Sequence, residues 1–128
     1  MCFTGDGSLL MNVQELATAA EEDVNVKIIL CNNHGLGLVQ QQQDLFYGGR
    51  LFASRYKTDV SFTRIAEGFG IRAFKLNDQA DPRAALAEAL TTHGPCLIEV
   101  DVRAEDKVFP MVPPGAANID MIGGERHA

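Results

Sequence analysis

Val26-Lys27-Ile28-Ile29-Leu30-Cys31 is a nearly continuous apolar run of strand length that stops at Asn32-Asn33. A strand with one wet face alternates apolar and polar residues. A run apolar at almost every position suits a strand buried on both faces of a parallel sheet. Cys96-Leu97-Ile98-Glu99-Val100-Asp101-Val102 is a second run of this kind, and residues 71–76 and 1–4 read as two further strands. Helical stripes lie between them. Val13, Leu16, Ala17 and Ala20 recur at helical spacing, with Glu15, Glu21 and Glu22 turned to solvent. Phe62, Ile65, Ala66 and Phe69 form another stripe, with Asp59 or Ser61 as its cap. In the last, Asp81 is the N-cap, Pro82 takes the first helical position, and Ala85, Leu86, Ala89 and Leu90 make the buried face. Gly94 ends it. A further helix is expected to begin near Leu38, because Gln40-Gln41-Gln42-Gln43 are good helix formers.

The resulting order, β-α-β-(loop, α)-α-β-α-β, predicts an α/β fold: an open parallel sheet with helices on both faces. The sheet is expected to be truncated at its N-terminal edge. Residues 1–105 read as one domain. Residues 106–128 read as a tail in which Pro110, Pro113, Pro114 and Gly115 forbid a regular element. A chain of 128 residues is long enough for a single core. Its 11 basic and 17 acidic residues leave a net charge of −6, which argues against a nucleic-acid partner. No apolar run approaches the roughly 20 residues of a membrane span, and no charged segment precedes an apolar stretch as in a secretory signal. Cys2, Cys31 and Cys96 are odd in number and lie in or beside apolar runs. Reduced, buried thiols in a cytoplasmic protein are expected.

Ligands of open α/β sheets bind beyond the carboxyl ends of the strands. Two polar segments fall there, Gly5-Asp6-Gly7-Ser8 after the first strand and Asn32-Asn33 after the second. If those strands are neighbours, Asp6 and Asn33 meet. A carboxylate and an amide oxygen are hard ligands that suit Mg²⁺, whose remaining ligands commonly come from phosphates and water. Glycine lets the backbone approach closely, and a helix starting after Ser8 would aim its first amides at an anion. Each segment taken singly is an ordinary turn; their joint position at strand ends is what points to a site. A dinucleotide site is disfavoured, since Gly35-Leu36-Gly37 lacks the third glycine and the later acidic residue of that fingerprint.

Gly5-Asp6-Gly7, a stretch of under thirty residues and Asn32-Asn33 together resemble the signature of the thiamine-diphosphate enzymes. The resemblance implies thiamine diphosphate and Mg as cofactors. Asp6 and Asn33 would be side-chain ligands of the metal and the Gly35 carbonyl a backbone ligand. Gly5, Gly7 and Ser8 would border the diphosphate. Leu36, Gly37 and Leu38 would pass beneath the thiazolium, with Leu38 bending the cofactor. Gln41-Gln42-Gln43-Asp44-Leu45-Phe46-Tyr47 and Lys107-Val108-Phe109-Pro110-Met111-Val112-Pro113-Pro114-Gly115 narrow the likeness to acetolactate (acetohydroxyacid) synthase, in which the tail closes over the active site. Gln42 stands where many members carry a tryptophan that helps select the second 2-oxoacid, and His34 where an acidic residue is common.

The reaction implied is a carboligation of branched-chain amino-acid biosynthesis. Pyruvate is decarboxylated and joined to a second 2-oxoacid, giving 2-acetolactate or 2-aceto-2-hydroxybutyrate. The resemblance also requires a glutamate from another domain to activate the aminopyrimidine, and Glu15, Glu21 and Glu22 do not match it. No catalytic residue is therefore expected in this chain, which is expected to be too short for the whole enzyme and inactive alone. Partners implied are the 2-oxoacids, a homo-oligomer or complementary chain supplying the missing domains, and a regulatory subunit. Two other readings compete. One is another decarboxylase or carboligase of the same cofactor class. The other is a non-catalytic α/β module that self-associates through exposed apolar surface or binds a phosphorylated metabolite.

Overall fold

The computed structural model describes residues 1–123. Its strands are β1 (Cys2–Gly5), β2 (Lys27–Asn32), β3 (Arg72–Lys75) and β4 (Cys96–Asp101). Its helices are α1 (Asp6–Met11), α2 (Glu15–Glu21), α3 (Gly37–Phe46), α4 (Phe62–Gly68) and α5 (Pro82–Thr91). The strands form one sheet in the order β1-β2-β4-β3, and every pairing is parallel. This is the open α/β arrangement expected from the apolar runs.

Alternation along the two central strands supplies both layers. Ile28, Leu30 and Leu97 face Leu9 of α1, Leu16 of α2, and Phe62 and Ala66 of α4. On the opposite face Cys96 and Ile98 pack with Ala89 and Leu86 of α5 and with Phe74. Helices therefore cover both faces. Lys27, the one charged residue in the opening run, is buried but satisfied. Its Nζ donates to the Gly94 carbonyl and to Asn25 Oδ1, each at 2.6 Å. Asp81 caps α5 as its position predicts, with Oδ1 accepting from Arg83 N at 3.1 Å and Ala84 N at 3.0 Å.

Several local expectations change. Of the stripe expected to form one helix, Leu16, Ala17 and Ala20 belong to α2, Val13 falls in the turn before it, and a separate helix precedes that turn. The chain enters α1 at Asp6 with no intervening loop and leaves helical geometry at Asn12, where φ is −132°. Ala17 is exposed, and Leu90 is 39% exposed at the outer edge of the α5 stripe. Of the three thiols only Cys96 is buried; Cys2 is exposed on the edge strand and Cys31 is half-buried. The tail is more ordered than its prolines suggest. Met111 and Ile122 exchange two backbone hydrogen bonds at 3.0 and 2.8 Å, and Asn118–Asp120 makes a 3₁₀ turn. The last five residues of the expected tail lie outside the described residues. No helix among the described residues is long and apolar enough to cross a membrane.

Candidate functional site

Parallel pairing places the carboxyl ends of β1 and β2 side by side, with Gly5 opposite Cys31. Asp6 follows at once as the first residue of α1 and is only 2% exposed. Its Oδ1 accepts the Gly7 N–H at 2.8 Å and its Oδ2 accepts the Gly35 N–H at 2.9 Å. Among the described residues no Lys, Arg or His pairs with this carboxylate. A buried anion held by two amides and no counter-charge is a costly arrangement, and a cation would complete it.

Beyond β2 the chain turns through His34, which adopts a left-handed conformation at φ 59°. The turn brings the Asn33 amide against both the Gly35 carbonyl and Asp6. The amide oxygen stands 2.9 Å from the Gly35 oxygen and 3.2 Å from Asp6 Oδ1. Three oxygens so close repel one another unless something positive lies among them. Turning the amide over would do this by donating its N–H to both partners. A bound cation would do it with the oxygen left inward. With metal–oxygen distances of about 2.0–2.1 Å, adjacent ligands of an octahedron stand about 2.9 Å apart. The 2.9 and 3.2 Å separations are compatible with a small hard cation as well as with the turned amide.

The loop carrying these groups is clamped from outside. Leu36 N–H donates to the Ser54 carbonyl at 2.8 Å, and Tyr56 N–H donates to the His34 carbonyl at 3.2 Å. A Cβ on Gly35 would come within 2.5 Å of the Ser54 oxygen and 3.3 Å of Arg55 Cα. One on Gly7 would reach 2.6 Å from Leu36 Cδ2 and 3.1 Å from Tyr56 Oη, and one on Gly37 would collide with Asn33 Nδ2. Gly35 is required by closeness to backbone, not by left-handed geometry, whereas at Gly7 and Gly37 the obstacles are side-chain ends that would have to shift. Burial, and then the Asp6 carboxylate, push the Tyr56 hydroxyl above its ordinary titration range, so it stays protonated beside the site.

A cavity of about 480 Å³ opens over these atoms. All nine residues expected to touch a cofactor line it: Gly5, Asp6, Gly7, Ser8, Asn33, Gly35, Leu36, Gly37 and Leu38. Gln42 does not; it borders a neighbouring concavity with Val39, Tyr47 and Arg50. His34 points away from the cavity toward Asp59 and Asp101, at 3.7 and 3.8 Å. Sequence reasoning missed Cys31, Gln41 and Arg103, which also line it, while Lys107 and Val108 line it from the tail that was expected to close over the site, with Asp106 beside them. Gln41 is 3% exposed and grips the tail. Its Nε2 donates to the Val108 carbonyl and its Oε1 accepts the Val108 N–H, both at 2.8 Å. Lys107 adds an ion pair to Asp44 at 3.1 Å. Nothing in a run of four identical residues marks that Gln40 and Gln41 turn inward, or that Gln41 is the one to reach the tail.

Residues 1–100 match the family model described as "Thiamine pyrophosphate enzyme, C-terminal TPP binding domain". The chain is 56% identical over 123 residues to the acetolactate synthase isozyme 1 large subunit of Escherichia coli, covering 96% of this chain and 22% of that protein. It is 42% identical over 124 residues to the acetolactate synthase large subunit of Pyropia yezoensis, covering 96% and 21%. It therefore spans about a fifth of the length of these relatives. Among solved structures, the benzoylformate decarboxylase of Polynucleobacter necessarius superposes with a TM-score of 0.74 over 84% of this chain and 20% of that one. Their identity is 21%, a likeness of fold alone.

Proposed function

The chain belongs to the thiamine pyrophosphate enzymes, as their C-terminal TPP-binding domain, and from that premise we propose that it holds the diphosphate end of thiamine diphosphate through Mg²⁺ within an acetolactate synthase. The observation that carries this reading is the Asn33 amide lying 2.9 Å from the Gly35 oxygen and 3.2 Å from Oδ1 of the buried, unpaired Asp6 carboxylate. The similarity to acetolactate synthase large subunits favours that activity over other carboligases of the class.

When bound, the cofactor supplies the electron sink that lets a 2-oxoacid lose carbon dioxide. The work of this chain is to bind, orient and exclude water. Asp6, Asn33 and Gly35 would hold the metal. Gly7 and Ser8 would border the diphosphate, and Leu36 and Leu38 would offer an apolar floor. Residues 1–105 act as the cofactor domain and residues 106–128 as its cover, because Asp106, Lys107 and Val108 already border the cavity. Gln42, which borders the adjoining concavity, would help choose the second 2-oxoacid. Among the described residues no glutamate lines the cavity. On this reading the carboxylate that activates the aminopyrimidine would come from elsewhere in the assembled enzyme, through a second copy or a complementary chain, with a regulatory subunit as a further partner.

Calorimetric titration with thiamine diphosphate, with and without Mg²⁺, tests the anchoring. Binding should depend on the metal and weaken at least tenfold in Asp6→Ala, roughly the cost of removing one charged ligand. Metal-dependent binding that Asp6→Ala leaves untouched would sink the assignment. Activity is tested separately by assaying pyruvate turnover for acetolactate against acetaldehyde, with the chain alone and with its complementing chain. Acetaldehyde as the main product would point to a decarboxylase instead.

A further inference from the structure

Glu99 lies mid-strand in β4 and is 2% exposed, an expensive place for a carboxylate that the cofactor reading does not use. Its paired neighbours are Leu30 on β2 and Lys75 on β3. Lys75 is a weak explanation for it, since Nζ stands 3.9 Å from Glu99 but 3.1 Å from Asp101. The close partner of Glu99 is Asn32, whose Nδ2 donates to Glu99 Oε1 at 2.8 Å. Asn32 is likewise 2% exposed. Its Oδ1 accepts the His34 N–H at 3.1 Å, and its carbonyl accepts the Val102 N–H at 2.9 Å.

The Glu99 oxygen accepts the Asn32 N–H, a role that a glutamine amide oxygen could also fill. Its presence therefore decides which way the Asn32 amide faces, with N–H toward Glu99 and oxygen toward His34. That oxygen in turn holds the first amide of the left-handed turn, a conformation unfavourable for a residue with a side chain. The turn is what brings the Asn33 amide beside the Gly35 carbonyl. We propose that Glu99 is a positioning residue which, through Asn32, sets the shape of the loop presenting Asn33 and Gly35. Its link to the cofactor rests on the cation site proposed above; its action on the loop does not.

The test compares Glu99→Met, Glu99→Gln and Asn32→Ala in the full chain by native-state amide hydrogen exchange. Exchange is normalised to the strand amides of Ile29 and Ile98, so that a general loss of stability cancels. Glu99→Met and Asn32→Ala should each accelerate exchange at His34 and Gly35 roughly tenfold relative to those strands, the scale of one buried hydrogen bond. Glu99→Gln keeps an acceptor and should behave as wild type. Unchanged relative exchange at His34 and Gly35 in the first two variants overturns the proposal, and so does a Glu99→Gln as harmful as Glu99→Met. A parallel thiamine diphosphate titration with Mg²⁺ separates the two readings. If Asp6→Ala binds normally while Glu99→Met still loosens the loop, the cation site falls and the positioning role stands.

Discussion

Replacing Gln41 by alanine removes the two hydrogen bonds that join α3 to the Val108 backbone, 2.8 Å from Nε2 to the Val108 carbonyl and 2.8 Å from the Val108 N–H to Oε1, together with a weaker contact from Nε2 to Met111 Sδ at 3.2 Å. Each such bond contributes about 0.5–1.5 kcal/mol net. Val108 itself is 73% exposed, so its freed backbone groups find water and no desolvation penalty is added. The loss is therefore about 1–3 kcal/mol, and it falls on the tail, because neither apolar core includes Gln41 or Val108. At about 1.4 kcal/mol per factor of ten, the tail should open some five- to a hundredfold more often. Amide exchange read residue by residue measures this directly. The Val108 N–H should exchange faster by a factor in that range, while Leu30 and Ile98 in the sheet keep their wild-type rates. The Lys107–Asp44 pair, 3.1 Å long, survives the substitution and limits the effect toward the lower end. An unchanged rate at Val108 would show that the tail is held by something other than this clamp. Equal acceleration at Leu30 would show that tail and sheet open together and that the local account is wrong.

Three further outcomes follow from the same geometry. Gly35→Ala drives a Cβ to within 2.5 Å of the Ser54 oxygen, so the loop must part from residues 54–56 and lose one or both of its backbone bonds. A urea midpoint corresponding to about 1–3 kcal/mol of lost stability is expected, and a neutral result would refute the close approach. Asp81→Ala removes an acceptor shared by Arg83 N and Ala84 N, and thermal unfolding should report a loss of about 1 kcal/mol. Lys75 titrates above its ordinary 10.5 because of its hydrogen bond to Asp101, against a lowering by burial and with added help from the Asp101, Glu99 and Asp78 charges. A raised folded value means the stabilisation is whole below the unfolded pKa and disappears as pH climbs past it. Wild type should thus lose urea resistance above pH 10.5 more steeply than Lys75→Met; parallel curves would remove the linkage.

The fold was legible because burial on both faces writes itself into composition. Runs such as Ile28-Ile29-Leu30 and Cys96-Leu97-Ile98 have an apolar residue for each layer, and the paired strands use them that way. The cap at Asp81 was legible for a local reason, since proline at the next position leaves few alternatives. What was hidden depends on contacts distant in sequence. The start of α1 at Asp6 could not be read from Gly5-Asp6-Gly7, whose residues favour turns, because packing of Leu9 against the sheet outweighs that preference. Gln41 differs from its neighbours only in facing Val108, a partner 67 positions away. Tyr56 and Ser54 sit in an irregular stretch with no periodicity, yet they press on Gly7 and Gly35. Pair chemistry at strand ends was visible; the second layer that shapes it was not.

The charge inventory of the candidate site bears on how it would be filled. Asp6 contributes the one formal charge among the three converging oxygens, and the Asn33 and Gly35 oxygens are neutral. Among the described residues no cluster of three or more His, Cys, Asp or Glu forms a ready-made metal cage. Mg²⁺ wants six oxygens in a near-ideal octahedron and gives up water reluctantly, so three ligands carrying one negative charge hold it weakly. On the proposed reading a diphosphate would change the balance by bringing oxygens and negative charge to the open side. The metal would in return neutralise an anion facing the Asp6 carboxylate. Each ligand would raise the other's affinity by the same factor, as linkage demands. The neutral donors would then be functional rather than incidental. A second carboxylate in place of Asn33 would tighten the bare metal and repel the diphosphate, exchanging cooperative uptake for a cation site that no longer depends on the cofactor.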